Sequence, residues 1–365
     1  PVSGKVKSLR GGSWIRLAPS IRAGNRAEGD PGITNEEIGF RCALHFQRGI
    51  KSNSPIHDEI RLQIPISQLF TQFVRKIEFQ EDKRERINLL IQDLDKQIRN
   101  SDEIGNIFVR NLLFGSIARN TALRDAGDID IMAILNVNPS HNELANVYKK
   151  LDFVLQNIFL GQTIKGKSKN NFKGYRKSHG NSILVDTPEG LAEFLPAIQS
   201  AEGILIPDVG MTRWVLSGHE SQAEFTQKKD IETAGAYTDL IKIVKYWARL
   251  NMPRTSGRIS NFTLECIVAA YASINHKGQL PDDFCSFLTN LNKTYLQSQR
   301  DDNQFSIPEI GAPNKYKRIP PSTWSEFINL VKRTIVVCIE AQKKTEWEES
   351  YQKWIEIFGS KFSID

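Results

Sequence analysis

The chain has 365 residues, of which 40% are hydrophobic and 25% charged, enough for two lobes with their own cores. Its formal charge of +6 comes from residues 1–26, where Lys5, Lys7, Arg10, Arg16, Arg22 and Arg26 stand without an acidic residue; against totals of 48 basic and 42 acidic residues, these six account for the whole excess. Charge therefore gives little support to a broad nucleic-acid-binding field over the remainder, no apolar run is long enough to span a membrane, and the four scattered cysteines form no CxxC pair that would suggest zinc or a disulfide framework.

Residues 1–63 are rich in Gly, Arg and Ser and carry no sustained periodicity, so this segment is expected to be disordered or non-native, with the folded protein starting near Leu62. No apolar h-region marks a signal peptide, and a cytoplasmic location is expected. From Ile66 the apolar residues Phe70, Phe73, Val74, Ile77, Ile87, Ile91, Leu94 and Ile98 follow helical spacing, with Ser67 as the expected N-cap of one helix or a helix pair.

The stretch "FGSIARNTALRDAGDIDIMAIL" then reads as strand, turn and strand. Alternate residues of a strand share a face, so Asp128 and Asp130 project together, roughly 6.5–7 Å apart, while Ile129 and Ile131 point to the core. Two bare carboxylates repel each other. The pairing becomes favourable around divalent cations, and two Mg²⁺ ions about 3.5–4 Å apart would suit in-line displacement at phosphorus. Gly115-Ser116, twelve residues before Asp128, sits where a strand gives way to a short helix, and it reads as a phosphate cradle beside that platform.

Ser140 opens a further helix, followed by a basic loop over 165–177. "SILVD" and "LAEFLPAI" read as a hairpin joined by "TPEG". This hairpin offers two candidates for a third carboxylate. Glu193 lies within an apolar strand, where an unpaired charge is costly, and is favoured; Asp186 lies at the turn, where an aspartate has structural reasons to be. After 209 the pattern is mostly helical to the end, with helices expected over 219–229, 236–250, 261–274, 282–298, 322–342 and 345–358. The expected class is α+β: a catalytic lobe over 64–215 that includes the first helix, and a helical lobe over 216–365.

"FGSIARNTALRDAGDIDI", "AEFLPAI", "LIKIVKYWARLN" and "SYQKWIEIFGSKF" together resemble the CD-NTases, bacterial cyclic-oligonucleotide synthases related to cGAS and the oligoadenylate synthases. The similarity spans about residues 66–363. Gly-Ser with Asp-x-Asp is common to all polymerase-β-like nucleotidyltransferases, and the helical and C-terminal motifs narrow the likeness to this branch. The resemblance implies that Gly115 and Ser116 contact a donor triphosphate. It further implies that Asp128, Asp130 and Glu193 bind two Mg²⁺ ions, with Mn²⁺ able to substitute, and that Lys245 and Ser260 reach the triphosphate from the helical lobe.

Glu193 stands where the family usually has aspartate, which lengthens the arm of this ligand. On their own, Lys242, Lys245 and Arg249 read as one solvated helix face and Ser260 as an N-cap. The implied product is a cyclic di- or oligonucleotide messenger, made from NTPs with ATP among them, that activates an effector protein in antiphage defence. The implied enzyme is a monomer without a stable nucleic-acid or membrane partner. Two other readings share the motif: an antibiotic- or RNA-modifying nucleotidyltransferase, and a catalytically silent nucleotide-binding protein. RNA tailing calls for a net basic surface that residues 27–365 lack.

Overall fold

The computed structural model describes residues 7–10, 26–29, 64–126, 128–159, 181–252, 258–274, 279–298 and 305–363. The chain divides into two compact units, Pro1–Arg61 and Leu62–Asp365. In the first unit β1 (Lys7–Arg10) and β2 (Arg26–Gly29) pair antiparallel, Lys7 opposite Gly29. The remainder of the segment expected to be disordered, and the basic loop over 165–177, lie outside the described residues.

The second unit opens with α1 (Ile66–Ile77) and α2 (Glu81–Arg99), a helix pair. α1 starts two residues earlier than expected. The amides of Gln68 and Leu69 bond to the Pro65 carbonyl, which makes Pro65 the N-cap and puts Ser67 inside the first turn. Its apolar residues fall at spacings of three and four, so Leu69, Phe70, Phe73, Val74 and Ile77 form one buried stripe. That stripe packs with the core of the helical lobe, while the sequence groups α1 with the catalytic lobe over 64–215. Phe70 meets Trp354, Phe358 and Phe362 edge-on at 4.8, 5.5 and 5.1 Å between ring centroids.

The catalytic lobe follows as β3 (Phe108–Leu113), α3 (Gly115–Ala118), β4 (Asp128–Leu135), α4 (His141–Phe159), β5 (Ile183–Thr187), β6 (Gly190–Ser200), β7 (Gly203–Pro207) and β8 (Trp214–Leu216). Ser140 caps α4, its Oγ accepting from the Glu143 amide at 3.2 Å. The sheet runs β3-β4-β6-β7-β8, with β5 paired to the first half of β6; β4 and β6 are parallel and the other pairs antiparallel. Ile129, Ile131, Ala133 and Leu135 fill the core between this sheet, α2 and α4.

The helical lobe comprises α5 (His219–Glu232), α6 (Ala236–Asn251), α7 (Asn261–Tyr271), α8 (Leu280–Ser298), α9 (Pro321–Lys343) and α10 (Trp347–Phe358), ending in a 3₁₀ turn at Ser360–Phe362. It also contains a hairpin, β9 (Phe305–Glu309) and β10 (Ala312–Ile319), in the stretch between the helices expected over 282–298 and 322–342, where the sequence reading gives no strand. Gly311 at its turn has φ of +69°, and a Cβ there would come within 2.5 Å of the Ser221 carbonyl oxygen, so the turn is built for glycine. Among the described residues no helix is long and apolar enough to cross a membrane.

Candidate active site

The first four residues of β4 alternate in exposure: Asp128 is exposed, Ile129 buried, Asp130 half-buried and Ile131 buried. The isoleucines belong to the lobe's main core. On the opposite face the acidic end of the strand gives way to Met132 and Ile134, which form a small separate cluster with Ala197 and Ile204. β4 is thus acidic at its mouth and apolar below.

Register brings in the third carboxylate. β4 and β6 run parallel with Asp130 opposite Glu193 and Asp128 opposite Leu191, and registered neighbours project to the same face. β5 adds Leu184 opposite Glu193 and Asp186 opposite Leu191. Asp186 therefore shares the acidic face but stands one strand further out, with Leu191 between it and Asp128, and is only 6% exposed. Asp128, Asp130 and Glu193 form the adjacent set.

Burial is the largest influence on Asp130, and the negative charges of Glu193 and Asp128 add to it; together they push its pKa up to about 7, partly offset by Arg119. A surplus of hard oxygen donors on one face, with a carboxyl driven to hold its proton, is the electrostatic signature of a cation site. Among the described residues no three His, Cys, Asp or Glu side chains close into a finished cage. Asp128, Asp130 and Glu193 nonetheless share one sheet face and offer carboxylate oxygens, the ligand type that Mg²⁺ takes.

The phosphate cradle is built against this platform. Phe114 is extended, and its amide donates to the Asp130 carbonyl at 2.9 Å. Gly115 then turns at φ of +70° and is buried, and a Cβ on it would overlap the Asp130 carboxylate. Ser116 follows half-buried, and its carbonyl accepts from the Thr121 amide at 2.9 Å. The Phe114 ring lies against His219, the first residue of α5, at 4.5 Å. Burial first, then the charge of Arg119, lowers the His219 pKa to about 4, so this imidazole is neutral at physiological pH.

The two helical-lobe residues are placed differently from each other. Ser260 is the N-cap of α7: its Oγ accepts from the Thr263 amide at 3.1 Å and lies 2.7 Å from Thr263 Oγ1. Lys245 is 1% exposed, and its ammonium donates to Glu265 Oε1 at 2.7 Å, the Thr121 carbonyl at 2.8 Å and Thr121 Oγ1 at 3.2 Å. Its three protons thus have acceptors inside the protein, and none is directed at solvent. Of the helix face that the charge pattern reads as solvated, Lys242 and Lys245 are buried and Arg249 is exposed. Lys242 is 2% exposed and pairs with Glu78 at 3.0 Å, and Arg249 pairs with Asp125 at 2.7 Å. The face is the seam to α1's C-terminus and the loop before β4.

Arg119, Thr121, His219 and Glu265 were not singled out by sequence reasoning. The polar run "ARNT" between a Gly-Ser turn and a buried strand was the available signal. Their grouping depends on partners more than 140 residues apart for Arg119, Thr121 and Glu265.

Comparison with known proteins shows what the chain is similar to. Residues 64–229 match the family model of the SMODS domain, the Second Messenger Oligonucleotide or Dinucleotide Synthetase domain. A cyclic AMP-AMP-AMP synthase of Acinetobacter sp. (strain ATCC 27244 / 9458) is 22% identical over 274 residues, which cover 72% of this chain and 75% of the relative. A cyclic AMP-AMP-GMP synthase of Enterobacter hormaechei subsp. hoffmannii (strain UCI 50) is 20% identical over 352 residues, covering 81% and 91%. The fold is shared with Bradyrhizobium diazoefficiens CD-NTase CdnG, solved in complex with GTP, at a TM-score of 0.60 and 13% identity over 82% of this chain and 97% of that one. The SMODS match covers the strand, the Gly-Ser turn and the β5–β6 hairpin that build the site, and the fold that this chain shares with the CD-NTase structure continues through the helical lobe, so the chain is similar to the bacterial CD-NTases in both its SMODS region and its fold.

Proposed function

We propose that this enzyme joins nucleoside triphosphates, ATP among them, into a cyclic di- or oligonucleotide. The observation that carries the reading is the adjacency of Asp128, Asp130 and Glu193 on one sheet face directly against the Gly115-Ser116 turn. Cyclic AMP-AMP-AMP and AMP-AMP-GMP synthases among the relatives support ATP as a substrate. In this reading Gly115 lets the backbone approach the donor phosphates, and Ser116 binds them through its amide and hydroxyl. Two Mg²⁺ ions, or Mn²⁺, held by Asp128, Asp130 and Glu193 would lower the pKa of the attacking ribose hydroxyl and neutralise the triphosphate and departing pyrophosphate. Met132 and Ile134 form an apolar floor beneath the carboxylates.

The product, in this reading, is a second messenger of antiphage defence that activates an effector protein, and the enzyme works as a cytoplasmic monomer without a stable nucleic-acid partner. Incubation with all four NTPs and Mg²⁺ or Mn²⁺, phosphatase treatment and mass spectrometry test it. A phosphatase-resistant cyclic species is expected. Linear tails on added RNA, nucleotidylated aminoglycoside, or nucleotide binding without turnover would each point to another member of the superfamily's repertoire. The Asp128→Asn/Asp130→Asn protein should bind nucleotide weakly and form no product.

A further inference from the structure

We infer that Glu265, a residue of the helical lobe, is a positioning residue for the nucleotide cradle of the catalytic lobe. This rests on the reading of Gly115-Ser116 as that cradle. Glu265 is fully buried on α7 and accepts on both oxygens: from Arg119 Nε at 3.0 Å and Nη2 at 3.2 Å, from Thr121 Oγ1 at 3.0 Å and from Lys245 Nζ at 2.7 Å. Arg119 and Thr121 belong to the turn that leaves α3. Lys245 closes the ring by donating to the Thr121 carbonyl as well.

That turn is bonded straight back to the cradle. The Arg119 amide donates to the Gly115 carbonyl at 3.2 Å, and the Thr121 amide donates to the Ser116 carbonyl at 2.9 Å. Between them Asn120 sits at φ of +57°, a left-handed conformation that asparagine adopts more readily than other non-glycine residues. From the outer side Arg84 reaches the Ile117 carbonyl at 2.6 Å and Asn120 Oδ1 at 3.1 Å. The carbonyls of Gly115 and Ser116 are thus tethered from behind, which leaves the amide and hydroxyl of Ser116 to the other side.

A device for stability alone would not need this chemistry. Taking three ionised side chains and a hydroxyl fully out of water costs more than apolar packing of the same volume, and their mutual attraction rarely more than repays it. What such a cluster supplies is fixed geometry, because each member can satisfy its partners in only one arrangement. One carboxylate from the helical lobe thereby sets the position of a turn in the catalytic lobe, and it does so at the strand junction where Phe114 and Gly115 touch Asp130. The cluster also carries a net positive charge, two cations against one carboxylate, behind the place where phosphates are read to bind.

The test uses the full chain with Glu265→Gln, Thr121→Val and Thr121→Ser, measured well below each variant's Tm. Read-outs are kcat and KM for ATP, and the affinity of a nonhydrolysable ATP analogue with Mg²⁺. Glu265→Gln is expected to weaken analogue binding about tenfold and lower kcat/KM by about a hundredfold, since small misplacements of bound phosphates are costly. Thr121→Val should move both in the same direction, and Thr121→Ser should restore them. A Thr121→Val protein with rate and affinity within twofold of the parent overturns the inference, whether or not Glu265→Gln folds. If the parent chain makes no product, the proposed function fails by itself, and the analogue affinities still decide the role of Glu265.

Discussion

The carboxylate of Asp130 rests against the α-carbon of Gly115, so closely that a side chain at 115 would come within 2.7 Å of Asp130 Cγ. The platform and the cradle are therefore one packed unit, and neither can shift without the other. Gly115→Ala should act twice over. It forces a side chain into a left-handed backbone conformation, at about 1–3 kcal/mol, and it displaces a carboxylate of the proposed metal site. A fall in product formation of at least about a hundredfold is expected, with a drop in Tm of only a few degrees. Wild-type turnover in a folded Gly115→Ala protein would separate the two features.

Asp130 gives the site a pH signature. Its folded pKa of about 7 lies above the ordinary carboxylate value of 3.8, so the folded state holds this proton more tightly than the unfolded chain does. The stability this contributes is fully present below about pH 4 and is lost as pH rises through 7. Without divalent cation, the parent's Tm should fall from pH 5 to pH 8 by about 5 °C more than that of Asp130→Asn. Adding Mg²⁺ at pH 8 should recover most of that difference, and adding it at pH 5 should recover little, because proton and cation compete for one group. Thermal melts at both pH values, with and without Mg²⁺, check this; equal slopes for parent and variant would remove Asp130 as the titrating group.

Glu193 and Asp186 are separated by register. Glu193 lies on the strand beside Asp130, whereas Asp186 lies beyond Leu191 and is almost wholly buried. Glu193→Gln is expected to reduce turnover by at least about a hundredfold with Tm near the parent value, as expected for loss of a charge that stabilises the transition state. Asp186→Ala should retain turnover within about tenfold and lose stability instead, by about 1–3 kcal/mol for a removed buried polar partner. Urea denaturation and initial rates on the same two proteins make the comparison. The reverse pattern would move the third carboxylate to β5.

Much of this site was legible before the fold was known, because it is written in local signals. A period of two explains why the aspartates of "DIDI" share a face, and the turn sequence "TPEG" explains the β5–β6 hairpin that carries Glu193. The parts that were not legible are set by long-range partners. The stripe of α1 has the right spacing, yet nothing in it says that its aromatics will meet Trp354 and Phe358. Lys242 and Lys245 have the composition of a wet helix face; their burial depends on Glu78, Thr121 and Glu265 arriving from other elements. The β9–β10 hairpin was masked by two prolines, which argue against a strand in any local reading.

The unit boundary at Arg61 supplies a deletion that tests the folding unit. The Trp347 indole donates to the Ile64 carbonyl at 2.8 Å, and Ile64 packs against the helical core, so the second unit's own tether begins just after the boundary. A chain lacking residues 1–61 is expected to melt within about 2 °C of the full chain, since the described core of the second unit begins at Ile64, and to keep its turnover. Loss of the folding transition on that deletion would make the first unit part of the fold.

Ser260 can be asked whether it is more than a cap. As the N-cap of α7 it satisfies the Thr263 amide, and Ser260→Ala should cost about 1 kcal/mol. Aspartate caps a helix about as well as serine, so Ser260→Asp should restore that stability. The two proteins diverge if the resemblance to the family holds at this position. Beside a bound triphosphate the new carboxylate would repel the phosphates, and KM for ATP should rise at least about tenfold while Tm stays at the parent value; a repulsion of that size is the ordinary one between close like charges at low effective dielectric. With Ser260→Ala, by contrast, KM should change by less than the variant's stability suggests. Ser260→Asp with an unchanged KM would leave the residue to its helix alone, and Glu265 would then be the strongest link between α7 and the cradle.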